Sequence, residues 1–581
     1  MPKNNDVKSA SPRSSSIIFG SCNSQYYEQP FWNVIKSRNP TAFVWGGDAV
    51  YSDDRLVGQE EEEASMVTST ETNTDDSSNF HQKEDIRSRW WSSLFEFYIP
   101  RRKSKSKHAT PEYLRQLYEE QLQVPDYRDL LREDNGVGGK LSIFGTIDDH
   151  DYGINNGDKT FIFRRENGIE YTKFLGLDEE SAMSKRAAKG LGVYGVQVYD
   201  FSSKRDPSRR LLSDEEAGLD PDVVEDATSN ISSEKNQLVA IFVLDVRTNR
   251  TPWVKKFPDR FSLDPEGDFL GEEQWEWFET AIGRSEASVN IVVNGLQAHA
   301  PWFYDASLIE NWSGFPKAQH RLYQTILQPN VRAPILVTGD VHLSQFLRKD
   351  CRRNVVASDD GKPTNDQIIR PLYEVTTSGM THSWGSKSSY CGRPNRSRLC
   401  TFYPSKVTAE IIMTYAHWAS PWTALLLGDG RSKTRQFSLD RNIAEIDFDW
   451  DQSLVIVRIL GVEGQTLLRQ DWSMDRLTGT VEDTLLSHKS FELGQRRLES
   501  ALQYTLPKDH DEYICVNYRG NPDKLHFAFS VTSTICISII LGIYPILFFY
   551  GILTKLVFRR QRNIKPQKRR GKTTLHRLKN D

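Results

Sequence analysis

The 581-residue chain contains only six Cys, and this scarcity excludes a small disulfide-stabilised scaffold. The first 16 residues are polar, and the first apolar run, residues 17–19, is too short for the hydrophobic region of a secretory signal peptide. Large side chains are abundant: 14 Trp, 22 Tyr and 28 Phe exclude a wholly disordered protein. We therefore expect a large folded body.

The chain also has little net charge, −4, but this value hides two segments of opposite sign. Residues 555–581 carry eleven Lys and Arg against one Asp, a net charge of +10, whereas residues 1–554 carry 63 basic and 77 acidic side chains, a net charge of −14. Binding to nucleic acid needs clustered positive charge, so we expect no nucleic-acid binding by the acidic body.

Between these segments lie 28 residues, 527–554, without Asp, Glu, Lys or Arg. A helix of about 20 apolar residues can cross a bilayer, so this run predicts one transmembrane helix followed by a basic tail at 555–581. The positive-inside tendency predicts a cytosolic tail and a lumenal or extracellular body. A cytosolic body anchored by its C-terminal helix is the alternative. Four Asn-x-Ser/Thr sequons leave this choice open, namely Asn230, Asn249, Asn311 and Asn395.

The body shows short apolar runs that end in polar turns, and helix-compatible stretches lie between several of them. This alternation predicts an α/β fold. The runs are residues 17–19, 42–45, 141–144, 238–244, 291–293 and 335–337; the helical stretches include 112–123 and 271–282. Residues 446–450 and 454–460 predict a hairpin that extends a sheet. We predict a disordered N-terminus at 1–15, one domain at 16–500 with a disordered insertion at 59–107, and a juxtamembrane linker at 501–526.

Polar side chains follow four of the predicted strands. They are Cys22 after the first, Asp48, Tyr51 and Asp53 after the second, the run 148–153 after the third, and Asp340 and His342 after the strand at 335–337. Ligands of open α/β sheets bind at the carboxyl ends of strands, so these side chains are expected to meet. Carboxylates, imidazoles, a thiolate and a phenolate together predict a metal centre in which Asp48 bridges two ions.

These blocks resemble the signature motifs of the PhoD-like alkaline phosphatases, which belong to the calcineurin-like metallophosphoesterases. The matching segments are Gly20-Ser21-Cys22, Gly47-Asp48-x-x-Tyr51-x-Asp53, the run 148–153 and Gly339-Asp340-Val341-His342, with further matches at 244–250, 271–277 and 373–376. The resemblance covers residues 17–460 and implies a β-sandwich flanked by helices. The predicted anchor would make the chain a membrane-anchored, eukaryotic-type member.

The resemblance also implies roles for individual residues. Cys22, Asp48 and Tyr51 match iron ligands, and Asp149, Asp340 and His342 match the remaining metal ligands. His150 matches the residue that contacts the phosphate or the leaving group. The family is associated with Fe(III) and Ca(II), and Mn or Zn are the alternatives. Arg247 and Arg250 match an Asp-x-Arg segment and are predicted to clamp the phosphate. His299 is a weaker candidate that is better explained as a structural histidine.

The function implied is metal-dependent hydrolysis of phosphate mono- or diesters by a water activated at two metal ions. One alternative is a phospholipase-type diesterase that acts on membrane lipids. Another, from a different class, is a membrane-bound scaffold protein that has kept the fold without the activity.

Overall fold

The structure is a computed structural model. It describes residues 14–53, 108–133, 140–202, 211–224, 237–256, 260–299, 309–353, 369–386, 436–479, 488–506, 512–517, 532, 536, 539, 542 and 545–554. The predicted disordered insertion at 59–107, the basic tail, and residues 1–13 of the N-terminus predicted as disordered at 1–15 lie outside these ranges. The chain divides into two units, and all described residues up to 517 belong to the first.

A six-stranded sheet forms one half of the first unit. Its strands are β1 (Ser16–Gly20), β2 (Ala42–Gly46), β3 (Ser142–Thr146), β13 (Ile443–Asp449), β14 (Leu454–Leu460) and β15 (Thr466–Ser473). They lie in the order β15-β14-β13-β1-β2-β3. Strands β1, β2 and β3 are parallel, whereas β13 to β15 form an antiparallel meander that pairs with β1. The predicted hairpin is therefore confirmed as an extension of this sheet.

A larger sheet forms the other half. Its strands are β4 (Gly195–Asp200), β5 (Leu238–Val243), β8 (Val289–Asn294), β9 (Pro334–Thr338), β10 (Ser344–Arg353), β11 (Ile369–Thr377) and β12 (Phe437–Ser438). The order is β12-β10-β11-β9-β8-β5-β4, and β16 (Tyr513–Asn517) pairs with β10. Strands β5, β8, β9 and β11 are parallel. A separate two-stranded ribbon consists of β6 (Lys255–Lys256) and β7 (Arg260–Phe261).

Helices cover the sheets. They are α1 (Phe31–Arg38), α2 (Pro111–Gln123), α3 (Pro125–Arg132), α4 (Asp149–Tyr152), α5 (Arg164–Phe174), α6 (Ala182–Lys189), α7 (Asp214–Ala217), α8 (Glu272–Gly283), α9 (Pro316–Ile326), α10 (Met474–Thr478) and α11 (His488–Leu502), with a 3-10 turn at Trp312–Gly314. Local chemistry explains α2: the Thr110 side chain accepts from the Tyr113 N–H, and proline occupies the first helical position. Its Leu114, Leu117 and Tyr118 share one buried face.

Two cores lie on opposite faces of the larger sheet. Val239, Ile241 and Val243 of β5 pack with residues of the six-stranded sheet in one core. Ala240 and Phe242, which alternate with them, pack with α8 and α9 in the other. Because successive strand residues point to opposite faces, a strand that is apolar throughout must be covered on both sides. The mixed α/β class is therefore confirmed, and each of the six apolar runs predicted as strands coincides with a strand, although Leu141 and Leu244 fall just outside β3 and β5.

The C-terminal part differs from the sequence interpretation in one respect. The segment 501–526, predicted as a linker, contains β16, and Cys515 of this strand forms a disulfide with Cys351 of β10. In the second unit, residues 545–554 are helical. Among the described residues, no helix is long and apolar enough to cross a membrane. Most of the predicted span 527–554 lies outside those residues, so the transmembrane helix stays a prediction.

Candidate metal centre

The predicted site residues meet at one edge of the fold. Cys22, Asp48 and Asp149 follow β1, β2 and β3, and Asp340 and His342 follow β9. Strands β1, β2 and β3 are parallel to one another, and β9 is parallel to β8 and β11, so the carboxyl ends within each set share an edge. Three overlapping groups of ligand atoms form there, each with its atoms within 4.8 Å of one another. They are Cys22 with Asp48 and His342, Asp48 with Asp149 and His150, and Asp148 with Asp149 and Asp340.

The first group surrounds the Asp48 carboxylate. Cys22 Sγ lies 3.5 Å from Asp48 Oδ2, and the Tyr51 hydroxyl lies 3.4 Å from the same oxygen. Tyr51 Oη is also 2.9 Å from His342 Nε2. The other oxygen, Asp48 Oδ1, accepts from the His150 N–H at 3.2 Å. The two oxygens of Asp48 therefore face different groups of donors, as a bridging carboxylate requires.

The second part of the site is rich in carboxylates. Asp148 and Asp149 are almost fully buried, and both take part in the group that contains Asp340. Asp148 Oδ2 and Asp149 Oδ1 are buried without a hydrogen-bond partner. Buried carboxylate oxygens without partners are costly, and a bound cation would satisfy them. The residues present therefore fit a metal ion at this position.

Burial and mutual repulsion shift the titration of these groups. Burial raises the pKa of Asp48 and of Asp340 well above the ordinary value, and neighbouring carboxylates raise it further. Burial likewise raises the pKa of the Cys22 thiol, and the Asp48 carboxylate adds to this effect. Burial raises the pKa of Asp148 to about 6, although Arg247 opposes it. Excess negative charge of this kind is what bound cations would neutralise.

His150 occupies the centre of the acidic cluster. Burial lowers its pKa, but Asp53, Asp149 and Asp48 outweigh burial and hold the pKa well above the ordinary value. Its Nδ1 is hydrogen-bonded to Asp53, and its ring stacks on Tyr51 with centroids 3.8 Å apart. Burial would also raise the pKa of Asp149, but the charges of His150 and Arg247 lower it to about 2. The hydrogen bond to Asp53 and the stacking on Tyr51 therefore hold the imidazole in one orientation, and the surrounding carboxylates favour its protonated form.

The backbone at the centre is unusual. Nine non-glycine residues of the described part have positive φ, and four of them are predicted ligands: Cys22 (58°), Asp48 (54°), Asp340 (63°) and His342 (53°). Non-glycine residues rarely occupy this region, and such outliers concentrate at functional sites. Glycine is also required nearby, since a Cβ on Gly295 would overlap the carboxyl group of Asp148. The loops are thus shaped to bring the donors together.

The two predicted substrate arginines are both fully buried. Arg247 pairs with Asp148 and Glu310, and its Nη2 has no hydrogen-bond partner. Arg250 donates to the Gly157 carbonyl and lies 3.5 Å from Glu310. The contacts of both guanidinium groups are therefore with atoms of the protein itself. A role in clamping phosphate stays a prediction.

Other residues were missed or differ in role. His382 follows β11, is 7% exposed and lies beside two predicted ligands, with ring centroids 4.3 Å from His342 and 5.0 Å from Tyr51. The Ser378 hydroxyl, also after β11, lies 3.0 Å from Cys22 Sγ. Ser378 directly follows the strand and His382 lies further along the same loop, and this position after a strand was the signal available in the sequence. His299, by contrast, contacts Tyr323 and the Leu372 carbonyl within the interior.

A family model described as PhoD-like phosphatase matches residues 232–387. A curated relative, alkaline phosphatase D of Bacillus subtilis (strain 168), is 29% identical over 116 residues, which are 18% of this chain and 20% of the relative. A solved structure titled "Structure of PhoD" covers 85% of this chain and 78% of its own, with 13% identity and a TM-score of 0.42.

The matched segment contains Arg247, Arg250, Asp340 and His342 and ends before β12. The matched region spans only about a fifth of the curated relative's length. The family-model match and this relative agree with the motifs of the sequence, and over this segment the chain is similar to the PhoD-like phosphatases.

Proposed function

We propose that this chain hydrolyses phosphate esters at a centre of two metal ions. The observation that carries the proposal is the set of overlapping donor groups in which Asp48 and Asp149 are each shared. Shared carboxylates suit two ions a few ångströms apart, because each oxygen can serve a different ion. When bound, such ions supply Lewis acidity, which lowers the pKa of water and neutralises charge on the phosphoryl group.

The donor types suggest which ion each part of the centre takes. Cys22 and Tyr51 offer a thiolate and a phenolate, which favour iron over calcium or magnesium. Asp148, Asp149 and Asp340 offer carboxylate oxygens alone, which suit Ca(II). We therefore propose Asp148 as an additional ligand beside the five residues Cys22, Asp48, Tyr51, Asp149 and Asp340, with His342 completing the set. Mn or Zn are the alternatives.

Two side chains of the protein, His150 and Arg247, would take part in the reaction beside the metal ions. His150, held by Asp53 at Nδ1, would donate a proton from Nε2 to the oxygen of the leaving group. An oxygen of water bonds to phosphorus while the bond from phosphorus to the alcohol oxygen breaks. The alcohol oxygen takes the proton of His150, and the proton that the water loses passes to solvent, from which the imidazole is protonated again. Arg247 would orient Asp148 through its Nε, and its Nη2, which makes no hydrogen bond, lies 4.0 Å from Asp149 Oδ2.

The decisive experiment combines metal analysis with hydrolysis. The full chain should contain metal and should hydrolyse 4-nitrophenyl phosphate. Asp48→Asn removes the shared charge and is expected to abolish hydrolysis and to lower the metal content. Asp451→Asn is the matched control, because Asp451 is exposed in the turn between β13 and β14, at the opposite edge of the sheet. Full activity of Asp48→Asn would refute the assignment of Asp48 as the bridging ligand. An unmodified protein that has neither metal nor activity after loading with Fe, Ca, Mn or Zn would favour the alternative of a non-catalytic scaffold protein.

We further propose that the C-terminal segment anchors the protein in a membrane with the body on the oxidising side. Residues 545–554 are helical, and their apolar side chains are largely exposed: Ile546 68%, Phe549 63% and Leu553 62%. Such exposure is typical of surfaces that meet lipid or a partner. The Cys351–Cys515 disulfide supports a lumenal or extracellular body, because disulfides persist in oxidising compartments.

Sensitivity to an endoglycosidase tests this orientation. Two of the four sequons are poor acceptors, since the Asn249 amide donates to the Leu191 carbonyl and Asn311 is buried and donates to the Ile309 carbonyl. A mobility shift that is removed by Asn230→Gln or Asn395→Gln would support a lumenal body. Both positions lie outside the described residues. A body labelled by a cytosolic biotin ligase would refute the orientation.

A further inference from the structure

A cavity of about 540 Å³ lies at the edge of the six-stranded sheet that carries the candidate metal centre. Tyr27 and Glu28 follow β1, Arg441 precedes β13, and Gln465 lies in the turn between β14 and β15. Strand β13 is antiparallel to β1, and β14 is antiparallel to β13. The start of β13 and the end of β14 therefore fall at the edge where β1, β2 and β3 end.

A single layer of side chains lies between this cavity and the centre. Thr381 lines the cavity, and its Oγ1 is 3.0 Å from His382 Nδ1. The His382 ring lies next to Tyr51 and His342, with centroids 5.0 and 4.3 Å away. Tyr27, another lining residue, has its ring centroid 5.6 Å from that of His382. A group that extends from a phosphoryl site at the centre could thus reach the cavity past one histidine.

The lining of the cavity combines apolar surface with polar side chains, and the charged groups among them leave a slight negative charge. Glu28 and Asp440 contribute two carboxylates, whereas Arg441 contributes one positive charge. Gln465 adds a carboxamide, and the ring of Tyr27 adds one flat apolar surface. Carboxylates and carboxamides accept hydrogen bonds from hydroxyl groups, and an aromatic ring packs against the face of a sugar. A second phosphate would be repelled by the excess of carboxylates.

We propose that this cavity binds the alcohol part of the phosphate ester and that this alcohol is a polyol or a sugar. Its volume is within the range of about 300–1,000 Å³ that small-molecule pockets occupy. The proposal rests on the proposed function, because the cavity matters only if an ester is cleaved beside it. The proposal specifies the chemical class of the alcohol that the hydrolysis releases.

The test compares two esters that share the phosphoryl group. Glucose 6-phosphate carries a sugar, and 4-nitrophenyl phosphate carries an aryl group. Gln465→Ala removes one hydrogen-bonding side chain from the exposed rim and is expected to raise KM for glucose 6-phosphate about fivefold, the worth of one neutral hydrogen bond. The kcat/KM for 4-nitrophenyl phosphate should change less than about twofold. Gln452→Ala is the matched control, since Gln452 is exposed in the turn between β13 and β14.

The charge of the cavity gives a second, independent measurement. Glucose 1,6-bisphosphate carries a second phosphate on the sugar, and the unmodified chain is expected to prefer glucose 6-phosphate. The double variant Glu28→Gln/Asp440→Asn removes both carboxylates and should reduce that preference about tenfold. An unchanged preference would overturn the proposal, as would an equal effect of Gln465→Ala on the sugar ester and the aryl ester.

Failure of the cavity and failure of the proposed function are distinguishable. If the unmodified chain hydrolyses 4-nitrophenyl phosphate but the rim variants do not discriminate between the esters, only the cavity assignment fails. If it hydrolyses none of the esters in the metal-loaded state, the proposed function fails. A polyol can also be presented by a lipid headgroup, so vesicles of phosphatidylinositol are compared with the soluble esters. Preferential cleavage of the lipid assigns the membrane as the source of the polyol, and preferential cleavage of the sugar phosphate assigns a soluble ester.

Discussion

Replacement of Arg247 by methionine is expected to destabilise the fold before it affects any substrate. The guanidinium is completely buried and pairs with two carboxylates that are themselves at most 2% exposed, those of Asp148 and Glu310. Methionine preserves most of the volume but leaves the Asp148 carboxylate without its cation, and Glu310 keeps only Arg250 at 3.5 Å and the Trp253 N–H. Removal of one member of a buried ion pair costs about 3–5 kcal/mol, so the free energy of unfolding should fall by about that amount.

Urea titrations monitored by tryptophan fluorescence can measure this loss, with the metal removed in every sample. Arg128→Met is the matched control, because Arg128 on α3 pairs with Asp129 at the surface, where the two side chains are 35% and 59% exposed. Exposed pairs contribute about 0.2–1 kcal/mol, so this variant should change stability by less than about 1 kcal/mol. The double variant Arg247→Met/Glu310→Gln should recover part of the loss, since one fewer charge is then left buried.

Equal stability of Arg247→Met and Arg128→Met would refute this reasoning. An unchanged free energy of unfolding together with a raised KM would instead favour contact between Arg247 and the substrate, as the sequence interpretation has it.

Two further predictions concern glycine and pH. Gly295→Ala should lower the content of bound metal, since the added Cβ would overlap the Asp148 carboxyl group. Gly283→Ala is the control, because a Cβ at the end of α8 has ordinary space and this variant should keep its metal. Equal metal contents of the two variants, measured by mass spectrometry, would contradict the expectation for Gly295→Ala. Burial raises the pKa of Glu374 from 4.5 to about 7, so the fold favours its protonated form, and stability should be lost as pH rises from 4.5 to 7. The Glu374→Gln variant has no ionisable group at this position. Between pH 4.5 and 7.5 the free energy of unfolding of the parent protein should therefore fall by about 3 kcal/mol relative to that of the variant. Parallel pH profiles of the two proteins in thermal unfolding would contradict this.

The location of the site could be predicted because strand ends carry it. Each apolar run between polar turns marked a strand, and parallel strands bring their carboxyl ends together whatever the loops contain. Cys22, Asp48 and Asp340 could therefore be grouped although they are far apart in the chain. The positive φ of the same three residues could not be read from the sequence, since it depends on the loops being held by both sheets.

The residues that sequence reasoning missed depend on long-range contacts. Ser378 lies 356 residues from Cys22 in sequence yet touches its sulfur. His382 lies in the loop after β11. The sequence motif at 373–376 covers the middle of that strand but not this loop. The partner of Cys351 could not be deduced either, because four cysteines outside the metal centre and the apolar segment allow three complete pairings. Only the register of β10 and β16 sets Cys351 opposite Cys515.

The link between Cys351 and Cys515 makes the intervening chain a covalent ring. The two residues are 164 positions apart, and the ring contains β11, the β13–β14 hairpin and His382. One backbone cut anywhere inside it would yield a two-chain molecule whose parts stay joined. Such a nicked protein would migrate as one band without reductant and as two bands with it. The predicted ligands Cys22, Asp48, Asp149 and His342 lie outside the ring. Ser378 and His382, which contact Cys22 and His342, lie inside it, so the surroundings of the centre come from both sides of that junction.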